Sequence, residues 1–469
     1  MSKNRKQQQN QEVIQQRIFD YFNEPVLSPG GRTGYGVRQG VELLSQLERH
    51  RILTNHLLDT IVDYGNLNKA YQRVYKNGGK GGVDHMEVED LGEWFQNNYK
   101  ELQEAILEER YQPEAVKKVM IPKATGGERM LGIPTLKDRL IQQSIHQQLN
   151  RYYDPLFSES SFGFRPGRSA HQAIIQSSKY VASGREWVVD IDLENFFDKV
   201  NHDRLMQRLS KGIGDKRLLR LIKTYLRTGI MEGGLVRQRT SGTPQGSPLS
   251  PLLSNIVLDE LDKELEKRGH SFCRYADDCN IYVKSKKAGE RVMESLMKFI
   301  EQKLKLKVNR QKSGVRYCSE VKFLGYTLLS GGGIRVSDFS IKRLKDKIRT
   351  TTQRNRGVKF AQVIKELNTQ IRGWTNYFRL AGSWLSTYRS IDSWIRRKLR
   401  CYRLKQLGRK YTIYKFLRKF DVPINTSWNV VIYAGGWWNM SNKQAVNKVM
   451  GLEWFARIGL QSIHAQMIR

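Results

Sequence analysis

Two aspartates stand side by side in Tyr275-Ala276-Asp277-Asp278, flanked by Phe272-Cys273-Arg274 and by Cys279-Asn280-Ile281-Tyr282-Val283. Two more lie upstream, in Trp187-Val188-Val189-Asp190-Ile191-Asp192. Taken singly, Asp-Asp is an ordinary turn dipeptide. Adjacent carboxylates repel, however, unless cations sit between them and a second anion, for which a polyphosphate is the fitting partner. The flanking apolar runs read as strands, which places Asp277 and Asp278 on a tight hairpin and Asp192 at a strand end. Three carboxylates delivered to one sheet edge by Asp192, Asp277 and Asp278, with Leu193 taking no part, could hold two Mg²⁺ ions about 4 Å apart. Such a pair would activate a 3′-hydroxyl and support a leaving pyrophosphate, and Asp190 stays open as an alternative ligand to Asp192.

The chain that carries these residues has 469 of them, with 80 Lys and Arg against 46 Asp and Glu, a formal net charge of +34 and a pI near 10. That excess is spread along the chain and points to a polyanionic partner, nucleic acid first. No apolar run approaches the roughly 20 residues of a spanning helix, and the amino terminus has no secretory apolar core, so a cytoplasmic protein with no membrane partner is expected. Cys273, Cys279, Cys318 and Cys401 form no C-x-x-C pair, which argues against a zinc site and a disulfide framework. Cys273 and Cys279 are expected to be small buried hydrophobes in the hairpin strands.

Several kinds of element must position the carboxylates. Residues 1–30 are Gln-rich with a short amphipathic stretch (Val13, Ile14, Ile18, Phe19, Phe22), and the glycine-rich runs at 28–36 and 78–82 match no phosphate-binding fingerprint and read as flexible loops. Helical periodicity dominates from about 38 to 185, interrupted by Val116 to Lys123 and Arg129 to Pro134, a hairpin signal. From 187 to 335 strands alternate with helices, including His202 to Leu209 and Leu252 to Arg268. This mixture predicts an α+β palm. Beyond Ile334 the pattern is helical to about 420, then irregular and aromatic-rich around Trp437-Trp438.

With these blocks in view, the sequence resembles the reverse transcriptases encoded by group II introns, of the compact type without an endonuclease domain. The resemblance is carried by Ile121-Pro122-Lys123 with Arg129, Ser161-Phe162-Gly163-Phe164-Arg165-Pro166-Gly167-Arg168-Ser169, the Asp192 segment, Gly242-Thr243-Pro244-Gln245-Gly246-Ser247-Pro248, Phe272 to Asp278, Leu306-Lys307-Val308-Asn309 with Lys312, and Phe323-Leu324-Gly325-Tyr326. It implies a right-hand polymerase: an amino-terminal extension at 1–58, fingers and palm at 59–335, an α-helical thumb (maturase domain X) at 336–425, and a short DNA-binding tail at 426–469. It also implies RNA-templated DNA synthesis with maturase activity, acting on intron RNA, a DNA primer, target DNA and dNTPs.

By the same resemblance Asp192, Asp277 and Asp278 are the metal ligands. Phe197, five residues after Asp192, would lie under the incoming sugar and exclude ribonucleotides, while Gln245 would contact nucleotide and template. Lys123 and Arg129, at the ends of the fingers hairpin, supply cationic donors for the triphosphate, and Lys312 is a candidate for protonating pyrophosphate. Arg165 and Arg168 are expected to contact nucleic acid. Two departures stand out: Gly246-Ser247 where the family has two glycines, and Gly82-Val83-Asp84-His85 where it has Gly-Val-Asp-Gly.

In the thumb, Ile391, Trp394, Ile395, Leu399 and Tyr402 recur at helical spacing, with Arg396, Arg397 and Arg400 on the other faces, which predicts a basic wall for a phosphate backbone. No His/Cys array follows the tail, so second-strand cleavage is not expected and primers would come from elsewhere, for example a replication fork. A domesticated or defence-associated reverse transcriptase and an RNA-binding splicing cofactor without polymerase activity are the alternative readings.

Overall fold

The computed structural model describes residues 55–122, 127–232, 235–237, 241–243 and 246–468. The stretches Leu43 to Leu47 and 28–36, the amphipathic stretch of the first 30 residues, and Lys123 and Gln245 lie outside the described residues.

The amino-terminal described region is helical. The helix Leu57–Val62 buries Leu57, Leu58, Ile61 and Val62, so the core begins within the segment expected to be an extension. The helix Tyr64–Asn77 buries Leu67, Ala70 and Val74 at helical spacing, and the helix Leu136–Tyr153 packs against it. Thr135 caps that second helix by accepting from the Asp138 amide. Strands β1 (Val116–Pro122) and β2 (Glu128–Ile133) form the expected antiparallel hairpin. Two short strands that the sequence did not suggest, β4 (Ile230–Glu232) and β5 (Leu235–Arg237), extend it to the order β2-β1-β4-β5. The run at 78–82 is loose only in its first half: Gly79 is exposed, whereas Gly81 and Gly82 are buried, and a Cβ on Gly82 would collide with the Thr135 backbone.

The central sheet has the order β6-β7-β3-β8, from β3 (Trp187–Ile191), β6 (Ser271–Tyr275), β7 (Asp278–Val283) and β8 (Gly314–Tyr317). Its strands alternate between two cores, as a pleated sheet covered on both faces requires. Val189, Ile191, Phe272, Cys279 and Ile281 face a core shared with the amino-terminal helices, whereas Val188, Cys273 and Tyr282 face a second core shared with the carboxyl-terminal helices. All four cysteines are buried and unpaired. The helices His202–Gly212 and Ser250–Lys267 match their expected positions to within a few residues.

The carboxyl-terminal region is helical throughout, with Asp338–Thr351, Phe360–Phe378, Leu385–Leu407 and Lys410–Arg418 followed by Ile424–Tyr433, Trp437–Met440, Gln444–Val449, Leu452–Arg457 and Ile463–Met467. The irregular structure expected after 420 is therefore not found. Val430, Met440, Val446, Phe455, Ile463 and Met467 join the same core as Leu367, Ile371, Ile395 and Leu399, because burying them there removes apolar surface that short helices cannot cover alone. Among the described residues no helix is long and apolar enough to cross a membrane.

Beneath the β6–β7 turn lies an ion pair with both side chains fully buried, Arg274 and Asp262, joined by Nε to Oδ1 at 2.7 Å. The same guanidinium donates to Asn255 Oδ1 and the Ala276 carbonyl, both at 2.9 Å, and to the Ser161 hydroxyl at 2.7 Å. Removing one partner of such a pair strands a buried charge, whereas replacing both with apolar groups removes the desolvation cost as well. Arg274→Met is therefore expected to lose roughly 3–5 kcal/mol in urea unfolding. The double variant Arg274→Met/Asp262→Leu is expected to recover most of that loss, and a single variant within about 1 kcal/mol of wild type would contradict the assignment.

Candidate active site

The β3–β7 register fixes where the carboxylates go. Trp187 pairs with Val283, and the antiparallel pairing runs down to Ile191 opposite Cys279, so the next step sets Asp192 opposite Asp278. Asp190 is paired with Asn280 one step earlier on the same face. Asp277 lies in the two-residue turn between β6 and β7, whose other member, Ala276, has φ +58°.

That turn is held from below. The Phe162 amide donates to the Arg274 carbonyl and the Arg274 amide to the Ser160 carbonyl, both at 2.9 Å, which lays the 160–163 segment along β6. A Cβ on Gly163 would overlap the Ala276 backbone nitrogen, so only glycine allows this approach. Asn255 Nδ2 fixes the Gly163 carbonyl at 2.8 Å.

Asp192 is fixed from the other side. Its amide donates to the Ser313 hydroxyl and its carbonyl accepts from the Asn309 amide, both at 2.9 Å, while Leu193 bridges to Val308. This mooring brings Lys312 Nζ to 3.9 Å from Asp192 Oδ2. Arg316 on β8 spans the same ground, donating to Asp190 Oδ2 at 3.1 Å and to the Lys312 carbonyl at 2.8 Å. Asp190 thus has a fixed cationic partner.

The carboxylates influence one another. The Asp278 carboxyl stands open at the surface of the cleft but is backed by protein, and its pKa is pushed up to about 6 by desolvation first, then by Asp277, Asp190 and Asp192, with Lys322 opposing. Asp190 is likewise pushed up to about 6, chiefly by burial, against the pull of Arg316. Crowded anions with too few cations form a set of hard oxygen donors suited to a divalent ion. Among the described residues, no three His, Cys, Asp or Glu side chains are gathered closely enough to form a ready-made metal cage. A cation would therefore have to draw Asp192, Asp277 and Asp278 together or share them with a phosphate ligand.

Phe197 is half-buried, edge-on to Phe196 at 5.3 Å between ring centroids. Its carbonyl accepts from the Thr243 amide at 2.6 Å, and the Gly242 amide reaches the Val200 carbonyl at 2.8 Å, so the 242–243 segment lies beside it. Gly246, with φ +108°, presses on the Gly132 carbonyl of β2, connecting this turn to the hairpin. Of the two departures, only Ser247 has a local reason. Ser247 is buried and donates to Gln142 Oε1, while His85 occupies a left-handed φ of +56°, a conformation that favours glycine.

The expected basic contacts divide. Arg165 is buried, paired with Asp154 at 2.7 Å and donating to the Ser158, Ser161 and Asp154 carbonyls, so it braces the palm and has no free donor face for nucleic acid. Arg400 is buried too, donating to the carbonyls of Ser441 at 2.9 Å and Met450 at 3.3 Å, where it ties the tail to the thumb. Arg168 pairs with Glu159 and lies over the Phe162 ring. Arg396 and Arg397 remain half-exposed, Arg397 at 4.0 Å from the Trp438 ring centroid. Arg129 lies in β2, paired with Ile121. Sequence reading missed Arg274, Arg316 and Lys322; only Arg274, a cation inside an apolar strand, carried a visible signal.

A central antiparallel sheet with carboxylates at the β3 end and the β6–β7 turn, between a β hairpin and a helical region, defines a right-hand nucleic-acid polymerase. Comparison with known proteins makes the class specific. Residues 121–328 match the reverse transcriptase (RNA-dependent DNA polymerase) family, and residues 341–420 match the group II intron maturase-specific domain. Protein YkfC of Escherichia coli K12 is 33% identical across 49% of this chain and 70% of its own length. The group II intron-encoded protein LtrA of Lactococcus lactis subsp. cremoris is 28% identical across 67% of this chain and 68% of its own. A chain of a partial Cas6-RT-Cas1–Cas2 complex is 28% identical with a TM-score of 0.35, covering 52% of this chain and 42% of that one. The chain belongs to the family of group II intron reverse transcriptases and maturases, and it is an RNA-directed DNA polymerase. Reverse transcriptases work with divalent metal ions.

The raised Asp278 pKa has a definite thermodynamic sign. Its folded value of about 6 exceeds the ordinary 3.8, so the contribution of this one group to stability is fully present below 3.8 and is lost as pH rises through about 6. At pH 8 without divalent ions, Asp278→Asn is expected to melt at a higher temperature than wild type, the gap closing below about pH 4. Millimolar Mg²⁺ should raise the wild-type melting temperature and leave the variant's nearly unchanged. A variant that melts lower than wild type at pH 8 would refute the crowding.

Proposed function

We propose that Asp192, Asp277 and Asp278 hold two Mg²⁺ ions and that the site extends a DNA primer on an RNA template. What supports the reading is the register that ends with Ile191 opposite Cys279, with Asp192 and Asp278 next in line, and the charges of Asp277 and Asp192 that act on the Asp278 carboxyl. Asp190 is the supporting carboxylate, since Arg316 already holds it. When bound, the cations supply Lewis-acid activation of the 3′-hydroxyl and charge neutralisation at the leaving pyrophosphate. Lys312, beside Asp192, is placed to give that leaving group a proton. Lys123 and Arg129 grip the triphosphate and Gln245 meets the nucleotide and its template base. Phe197 blocks a 2′-hydroxyl.

The division into fingers and palm at 59–335 and thumb at 336–425 follows the same reading, with 426–469 built onto the thumb. Its partners are a structured intron RNA, a DNA primer and a DNA target, and the maturase role is to hold that RNA while it splices.

Extension of oligo(dT) on poly(rA) with Mg²⁺ and dTTP tests the polymerase assignment. Wild type is expected to extend, and Asp277→Asn to fall to background while retaining its affinity for the primer-template; equal inactivity of both would sink it and favour a binding-only splicing cofactor. Phe197→Val is expected to raise ribonucleotide relative to deoxynucleotide incorporation about tenfold or more. An unchanged ratio would remove Phe197 from the sugar pocket.

A further inference from the structure

Between the helix Asp338–Thr351, the loop that follows it and the helix Leu385–Leu407 lies an open groove of about 660 Å³, remote in sequence from the carboxylates. Arg349, Arg354, Lys398, Lys405 and Trp437 line it, and no acidic side chain does. Among the described residues, the one carboxylate paired with this set is Asp346, which joins Arg349 along its own helix. Four cations around one space, of which only Arg349 has a carboxylate partner, is a costly arrangement in a folded protein unless an anion visits it.

The cations are propped rather than neutralised. Lys398 Nζ sits 5.7 Å from the Trp394 ring centroid and 5.2 Å from that of Trp438, and the Arg349 guanidinium covers the Trp394 ring at 5.5 Å. Indole faces orient such heads and leave their full charge available to a ligand. The Lys398 amine is held below its ordinary pKa by partial burial first and then by Arg349 and Arg354, with Cys401 opposing.

Trp437 supplies a second kind of surface to the same groove. It opens the short helix Trp437–Met440 directly after Gly435 and Gly436, whose φ values of +61° and +111° turn the chain at that point. It also lies beyond the residues that match the maturase-specific domain, so the groove joins that domain to the segment after it. Aromatic rings beside cations bind unpaired bases sequence-tolerantly, because every base has a stacking face. Folded RNA offers such bases at bulges and loops, whereas bases paired in a duplex are not free to stack.

We propose that this groove is a single-nucleotide site for folded RNA, in which an unpaired base stacks on Trp437 while Arg349, Arg354, Lys398 and Lys405 hold the flanking phosphates. It rests on the RNA-binding reading above and adds what feature of the RNA is recognised. The volume falls within the roughly 300–1,000 Å³ typical of ligand clefts, which is room for one nucleotide.

The test uses the full chain and two RNA hairpins that differ only in one bulged 2-aminopurine, present in one and absent from the other. With wild type, the bulged hairpin should bind more tightly and its fluorescence should be quenched. Trp437→Ala should weaken binding to the bulged hairpin about tenfold, abolish the quenching and leave affinity for the paired hairpin within about twofold. Trp437→Phe should retain most of the preference, which separates lost stacking from misfolding. Arg354→Gln should reduce the salt dependence of binding by about one counterion. Equal losses on both hairpins, or no loss on the bulged one, overturn the nucleotide site. Failure of wild type to bind either hairpin instead overturns the RNA-binding reading, and oligo(dT) extension by the same wild-type preparation keeps that outcome separate from the polymerase assignment.

Discussion

The Arg274–Asp262 pair is the interaction on which the active-site region depends. Both charges are fully buried, and desolvation alone would discourage ionised side chains there. Asp262 more than offsets that effect on Arg274, whose pKa stays above its ordinary value despite its burial. The arginine spends its remaining donors on Asn255, Ser161 and the Ala276 carbonyl, so one guanidinium joins the helix under the palm, the 158–163 segment and the β6–β7 turn. Few residues could replace it. Lysine has one point of charge where five planar donors are in use, and an apolar residue would strand Asp262.

From that anchor the palm follows as a two-faced sheet. Alternate residues of β3 and β7 enter opposite cores, so the strands that present the carboxylates also connect the amino-terminal helices to the carboxyl-terminal ones. The thumb is consequently not an appendage hinged at the end of the palm: Val188, Cys273 and Tyr282 share its core. Sheet register then has a chemical meaning. A slip of one residue would exchange the faces of Asp190 and Asp192 with those of Val189 and Ile191, placing carboxylates in an apolar core.

Much of this was legible in the sequence where the signal is local. The β6–β7 hairpin, β3, the β1–β2 hairpin and the long helices follow from alternation, helical spacing and turn residues, and the resemblance to a family orders the blocks. What was not legible depends on partners distant in the chain. Arg165 and Arg400 read as surface cations because composition cannot show that carbonyls of Ser158 or Ser441 will enclose them. The tail read as irregular because each of its helices is short, and their stability comes from a core shared with the helices Phe360–Phe378, Leu385–Leu407 and Lys410–Arg418. The strand β8 escaped notice for the same reason: four residues with no strong alternation pair with β3 only once the sheet exists.

The two departures from the family pattern show how local rules and tertiary contacts trade places. His85 keeps the left-handed backbone that a glycine would adopt freely, and surrounding contacts bear the strain: Gly81 packs on Met86 and Gly82 on Thr135. Ser247 does the reverse, replacing backbone freedom with a buried hydrogen bond to Gln142 on the helix Leu136–Tyr153. That bond connects the turn beside Phe197 to the helix that supports the fingers hairpin, while Gly246 lies so near the Gly132 carbonyl of the hairpin that a Cβ would crowd it. The turn beside Phe197 and the fingers are therefore coupled through two adjacent residues, one needing glycine for its close approach and the other a side chain for its bond. A second glycine at 247 would preserve the approach but leave Gln142 Oε1 without that donor in the interior.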